Sequence, residues 1–223
     1  MPTTKRAVIF DMDGLLVDSE PLWWRAGVEI LRTVGVHLSD EHLHETIGLR
    51  TDVAVAHWYG RFPWTGKTHK EIEDDVHARV LQLIVSSAQP LPGVLSLVRF
   101  LFEERVPIGL CSSSSYSIID TVLAKLEIKD YFQVIHSAED EPYGKPHPGP
   151  YISCASRLGV MPQRCIACED SLSGAISAKA AQMKVVAVPN PVSARVSSFD
   201  FCDVRLDSLT EFTPDLLARL LPA

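Results

Sequence analysis

Apolar residues in this chain gather into short unbroken runs separated by longer stretches with helical spacing. The runs are "AVIF" at 7–10, "VPIGLC" at 106–111, "RCIAC" at 164–168 and "KVVAVP" at 184–189. None alternates apolar with polar positions, so each predicts a strand covered on both faces. "DVRL" at 203–206 is a weaker fifth run, and "FQVIHS" at 132–137 adds a short one. Between them, "GVLSLVRFLFEE" (93–104) follows a Pro-Gly turn, and "SIIDTVLAKLEI" (117–128) spaces Ile118, Val122 and Leu126 four residues apart. "PYISCASRLGV" (150–160) ends at Gly159, and "SLSGAISAKAA" (171–181) opens on a serine able to cap a helix. Strands alternating with helices predict a doubly wound parallel sheet, a Rossmann-like α/β core.

The alternation lapses between about 19 and 88. "SEPLWWRAGVEILRTVG" puts Pro21 in a first helical turn and Gly35 at the end, and "THKEIEDDVHARVLQLIV" opens with a capping box from Thr68 to Glu71. Residues 1–18 and 89–223 are expected to form the core domain, and 19–88 an inserted α-helical cap domain.

Composition narrows the class. The 223 residues, 46% hydrophobic and 22% charged, suit one large domain or one domain with a modest insertion. No apolar stretch approaches the ~20 residues of a membrane span, and the N-terminus enters a strand without a signal-peptide pattern. The cytoplasm is the expected location and a monomer the expected state. A net charge of −7 argues against nucleic acid as a partner and requires local cations or a metal wherever an anion binds. The five cysteines are an odd count and do not look like a disulfide framework. Cys165 and Cys168 have C-x-x-C spacing but lie inside an apolar run, where cysteine packs as a small hydrophobe; redox or metal chemistry is the alternative. The histidines of the insert give no helical pair with a third ligand, so zinc is not expected.

Chemistry-bearing residues follow the strands. Asp11 and Asp13 come after "AVIF", Ser112 and Ser113 after "VPIGLC", Lys145 (in "YGKPHP") after "FQVIHS", and Glu169 and Asp170 after "RCIAC". Parallel topology brings such ends to one sheet edge, where active sites of open α/β sheets collect. Carboxylates, hydroxyls and one ammonium there amount to a Mg²⁺ site beside an anion site, with the metal relieving repulsion among Asp11, Asp13 and Asp170.

"FDMDGLLVDSE", the strand-terminal Ser112, "GKPHP" and "EDS" resemble the four signature motifs of the haloacid dehalogenase superfamily, in order from 10 to 171, and the helical insert matches that family's cap. More narrowly, "FDMDGLLVDSEPLW", "GLR" (48–50) and "KPHP" resemble its sugar-phosphate phosphatases of the hexitol-phosphatase and 2-deoxyglucose-6-phosphate-phosphatase type. The resemblance implies a nucleophilic Asp11 forming an aspartyl-phosphate and an acid–base Asp13. It implies Mg²⁺ on the Asp11 carboxylate, the Asp13 carbonyl and the Asp170 carboxylate, with Glu169 supporting its water shell. Ser112 and the Ser113 amide would hold a phosphate oxygen, and Lys145 would neutralise nucleophile and phosphoryl group.

Other residues carry two readings. Asp18 reads as a cap of the first inserted helix. Glu20 reads as a cap, a substrate contact or a flank of the acid–base residue. Ser114 and Ser115 read as turn and helix-cap residues. Arg50 is a surface arginine or reaches the substrate, and of Trp23, Trp24, Trp58 and Trp64 at least two are expected in the insert's core, with one free to face a sugar. The expected substrate is a phosphorylated sugar or polyol. A β-phosphoglucomutase-like phosphosugar mutase shares the four motifs, but its cap-linker histidine corresponds here to Trp23, which favours transfer to water. Asp13 speaks against a dehalogenase, and the polar setting of Lys67 and Lys70 against a phosphonate hydrolase. A non-catalytic sugar-phosphate sensor is the alternative from a different class, and a redox protein a distant third.

Overall fold

The computed structural model describes residues 5–46, 49–189 and 198–222. Six strands form one wholly parallel sheet: β1 (Ala7–Phe10), β2 (Ile108–Ser112), β3 (Val134–Ser137), β4 (Cys165–Glu169), β5 (Lys184–Ala187) and β6 (Val204–Arg205). The spatial order β3-β2-β1-β4-β5-β6 reverses direction at β1, which makes the sheet doubly wound. All six apolar runs become strands; β1 keeps the whole of its run, and the other five are trimmed at one or both ends.

Period-two side-chain alternation splits the central strands between two apolar layers. Val8, Phe10, Ile108, Leu110, Ile166 and Cys168 face one layer. Ala7, Ile9, Cys111, Cys165 and Ala167 face the other. Helices α4 (Val94–Glu103) and α5 (Tyr116–Lys125) cover the first. Helices α6 (Gly149–Leu158) and α7 (Leu172–Ala180) cover the second. Ser171 caps α7 by accepting from the Gly174 amide. A short C-terminal helix, α8 (Pro214–Leu220), closes the first layer through Leu216 and Leu217.

Between β1 and α4 the described residues contain helices and no strand longer than an isolated bridge. These are α1 (Glu20–Arg32), a 3₁₀ turn, α2 (Thr51–Arg61) and α3 (His69–Ser87). The Thr68–Glu71 capping box forms, and Ile72, Val76, Val80 and Ile84 bury the inner face of α3. α1 packs on α3, and α3 on α5 of the sheet layer. One detail departs from the sequence reading: Asp18 is exposed and Ser19 holds the N-cap position of α1. Among the described residues no helix is long and apolar enough to cross a membrane.

The C-x-x-C pair is divided by the pleat. Three residues apart on one strand, Cys165 and Cys168 point to opposite faces of the sheet and occupy different apolar layers. Burial pushes the Cys165 thiol up to about 12 and raises Cys168 further, so neither forms a thiolate at neutral pH. Cys111 and Cys154 are also fully buried, and only Cys202 is half-buried. Thiol titration with a disulfide reagent is expected to find no more than one slowly reacting cysteine in the native protein, and all five after unfolding. Fast modification of Cys165 or Cys168 in the folded state would contradict this packing.

Candidate active site

Asp11 is the first residue beyond β1, its amide bonded to Cys168 O at 3.0 Å. The register pairs Phe10 with Leu110 and with Cys168, so the residues following the three strands share one level. Lys145 approaches from the loop after β3. Its ammonium donates to Asp11 Oδ1 at 2.7 Å, Glu169 Oε1 at 2.6 Å and the Cys111 carbonyl at 2.9 Å. Its side chain is only 2% exposed. Tyr151, on α6, lies beneath: its hydroxyl donates to Glu169 Oε1 at 2.5 Å, and its ring faces the ammonium at 4.9 Å.

These contacts set the charges. Burial pushes the Asp11 carboxyl up to about 7, against the pull of Lys145. Burial also works against the Lys145 ammonium, but Asp11 and Glu169 outweigh it and hold its pKa above the ordinary lysine range. Lys145 is therefore a permanent cation.

Asp11, Glu169 and Asp170 present carboxylate oxygens within 4.8 Å of one another, all buried. The backbone is cut to fit them. Gly14 has φ +76, and a Cβ there would lie 2.2 Å from Asp170 Oδ2. A Cβ on Gly174 would lie 2.0 Å from Glu169 Oε1. Three converging hard-oxygen donors, with one ammonium too few to balance them, fit a hard divalent cation. Among the described residues no other group of three or more His, Cys, Asp and Glu could hold a metal.

The Asp13 carboxylate is not part of this cluster and accepts three hydrogen bonds. Ser19 Oγ and Trp23 Nε1 donate to Oδ1 at 2.6 and 2.8 Å. Ser114 Oγ donates to Oδ2 at 2.7 Å. Above lies a cavity between the sheet edge and the helical segment. Asp11, Asp13, Ser113, Ser114 and Lys145 line its floor, and Trp23, Trp24, Leu31, Val55 and Trp58 contribute to its walls.

The structure thus brings together Asp11, Asp13, Ser113, Lys145 and Glu20 around one cavity, with Asp170 at its buried base. Ser112 is fully buried, and its hydroxyl accepts from the Ser114 amide at 3.0 Å, shaping the loop from below. Arg50 is placed differently from a substrate-facing arginine. Its guanidinium clasps both Asp52 oxygens at 2.7 Å and donates to the carbonyls of Ala138 and Glu141 at 3.2 and 3.1 Å. It ties the helical segment to the core and lines an adjacent cleft. Gly48 of the "GLR" motif lies outside the described residues. Trp64 is buried in the helical segment, and Trp58 is buried while also touching the cavity. Ser115 takes the N-cap position of α5, as expected. Ser19, Ser114 and Tyr151 were not singled out as site residues, because nothing local distinguishes Ser114 in a run of serines or ties Tyr151 to Lys145.

With this geometry in place, comparison with known proteins assigns the chain. Residues 8–188 match the haloacid dehalogenase-like hydrolase family, and the chain belongs to it. It is 44% identical over 213 residues to hexitol phosphatase B of Escherichia coli, covering 95% of this chain and 96% of that one. Its fold resembles CbbY from Rhodobacter sphaeroides, solved with phosphate, at TM-score 0.87 and 23% identity over 93% of this chain and 96% of that one. It also resembles a β-phosphoglucomutase from Clostridium difficile, at TM-score 0.84 and 24% identity over 97% of each. Identities this low speak for the fold alone.

Glu20 offers a test of the cavity's electrostatics. Desolvation, then the charges of Asp13, Asp11 and Asp18, push its carboxyl up to about 8. A carboxyl raised in the folded state binds its proton more tightly than in the unfolded chain. Stability is therefore lost as pH climbs from the unfolded value of about 4.3 toward the folded one. Glu20→Gln is expected to match the wild type near pH 4 and to gain about 1–2 kcal/mol on it by pH 8 in urea unfolding without metal. An offset that does not change with pH would contradict this environment.

Proposed function

We propose that the protein is a Mg²⁺-dependent phosphatase that hydrolyses a sugar or sugar-alcohol phosphate of the hexose or hexitol class. The observation that carries this reading is the Asp11 carboxylate, held by a permanent ammonium beside two further buried carboxylates, at the floor of a cavity. Likeness to hexitol phosphatase B over nearly the whole chain supports the substrate class.

In this account residues 19–88 form the cap that selects the substrate, on a core of 1–18 and 89–223. The Asp11 and Asp170 carboxylates and the Asp13 carbonyl would hold Mg²⁺, with Glu169 supporting its waters from its place on Lys145 and Tyr151. Bound there, the ion would neutralise phosphoryl oxygens and offset the repulsion among the carboxylates. Asp11 attacks phosphorus and forms an aspartyl-phosphate, splitting one displacement into two. Lys145 orients the attacking carboxylate and compensates charge on the phosphoryl group, and the Ser112–Ser113 loop presents donors to a phosphate oxygen. Asp13 protonates the departing alcohol, which is a poor leaving group as an alkoxide, and then activates water. Glu20, its carboxyl raised by burial and by the neighbouring carboxylates, faces the substrate side of the cavity. Arg50 acts on substrate indirectly, by seating the cap. Every group comes from one chain, so a monomer suffices, and buried unpaired thiols suit the reducing cytoplasm. The mutase reading shares these parts. Against it, Trp23 occupies the cap-linker position and its indole N–H can neither take nor give a proton there.

Phosphate release from a panel of hexose, hexitol and triose phosphates is expected to require Mg²⁺ and to favour the six-carbon esters in kcat/KM. Asp11→Asn is expected to lose at least about 10³-fold in kcat while keeping its fold. Undiminished turnover in Asp11→Asn, or turnover unaffected by chelation, would overturn the assignment.

A further inference from the structure

Three donors reach the Asp13 carboxylate, and they are not chemically equivalent. Ser19 and Ser114 carry hydroxyls, which donate or accept by rotating. The Trp23 indole N–H, 2.8 Å from Oδ1, only donates. A proton on Oδ1 would therefore share that oxygen with the indole proton, even with the Ser19 hydroxyl at 2.6 Å turned round to accept it. A proton on Oδ2 meets only the Ser114 hydroxyl at 2.7 Å, which turns round to accept it.

From this asymmetry we infer that Trp23 is a positioning residue that fixes Oδ1 of Asp13 as a permanent acceptor and makes Oδ2 the oxygen that exchanges protons with the substrate. The inference rests on the reading of Asp13 as the acid–base residue. Trp23 is well placed for the task. Its backbone N–H bonds to Ser19 O at 2.9 Å in the first turn of α1, and its ring meets His77 of α3 edge-on at 6.0 Å. The indole is thus anchored in the helical segment while its N–H reaches a residue of the core. Trp23 and Asp13 both line the cavity, so the orientation acts where a leaving group would sit.

The proton balance is simple. As the Asp11 carboxylate bonds to phosphorus, the bond from phosphorus to the ester oxygen breaks, and that oxygen takes the proton from Asp13 Oδ2 and leaves as an alcohol. Asp13, now ionised, turns the same oxygen toward water. Water bonds to phosphorus, its proton returns to Oδ2, and the bond between phosphorus and Asp11 breaks to release phosphate. Throughout, the indole donates to Oδ1 and its own proton stays in place.

Leaving-group dependence separates this role from simple packing. An alkyl ester such as sorbitol 6-phosphate needs a proton delivered to its oxygen, whereas 2,4-dinitrophenyl phosphate departs without one. kcat/KM reports the step that forms the aspartyl-phosphate, where that proton moves. In Trp23→Phe, which keeps an aromatic ring and removes the N–H, the ratio of kcat/KM for the alkyl ester to that for the aryl ester is expected to fall about tenfold or more. Asp13→Asn, measured alongside, is expected to depress the same ratio further. Should Trp23→Phe fold poorly, Trp23→His keeps a ring N–H at the same helical position. Its ratio is expected to fall less than that of a replacement lacking a donor, such as Trp23→Leu. A lowered ratio in Asp13→Asn with an unchanged one in Trp23→Phe, or equal ratios in the His and Leu variants, would overturn the role given to Trp23. An unchanged ratio in Asp13→Asn would instead overturn the acid–base reading of Asp13 on which it rests.

Discussion

One ammonium group organises the sheet edge. Lys145 Nζ sits within hydrogen-bond distance of Asp11, Glu169 and the Cys111 carbonyl, in surroundings that leave its side chain 2% exposed. Removing ions from water costs several kcal/mol each, so a buried cluster persists only when each charge finds partners of good geometry. Here the partners arrive from four places in the chain: the ends of β1, β2 and β4, and the loop after β3. They meet because the strand order reverses at β1 and leaves a crevice at the carboxyl ends. The ammonium cannot balance Asp11, Glu169 and Asp170 together. Three buried carboxylates converging beside this one ammonium fit a hard cation, which is the reading proposed for this edge.

The helical segment and the core are registered on one another through polar contacts that the apolar packing alone would not specify. Asp13 belongs to the core, yet two of its three donors, Ser19 and Trp23, belong to the start of the segment. Arg50 makes the second tie, spending its Nη1 donor on core carbonyls and the other two nitrogens on Asp52. Both ties are directional, so they specify the seating of the segment more narrowly than the apolar contacts of α3 on α5 do.

Much of this was legible in the residues. Strands covered on both faces write themselves as unbroken apolar runs, and a parallel sheet gathers whatever follows them. Asp11, Ser113, Lys145 and Asp170 could therefore be grouped across more than 150 residues without any contact being known. The parts that were not legible depend on side-chain direction. Asp18 looked like a helix cap, but Ser19 takes the position and turns its hydroxyl to Asp13. Arg50 looked free to reach a substrate, but Asp52 two residues on captures it. Ser114 is one of a run of serines, and only the turn after β2 selects it. Tyr151 reaches Glu169 because of where α6 lies on the sheet, which no local pattern encodes. Cys165 and Cys168 imitate a redox pair by spacing, and the pleat of β4 separates them.

The central claim is that Asp11 bonds covalently to phosphorus. Borohydride reduction of enzyme quenched during turnover of a hexitol phosphate with Mg²⁺ tests it most directly, since an aspartyl-phosphate is reduced to homoserine and a free carboxylate is not. Homoserine at position 11 in the turning-over enzyme, and aspartate there in enzyme without substrate, is the predicted result. Aspartate at position 11 in both samples, while phosphate is being released, would contradict the account.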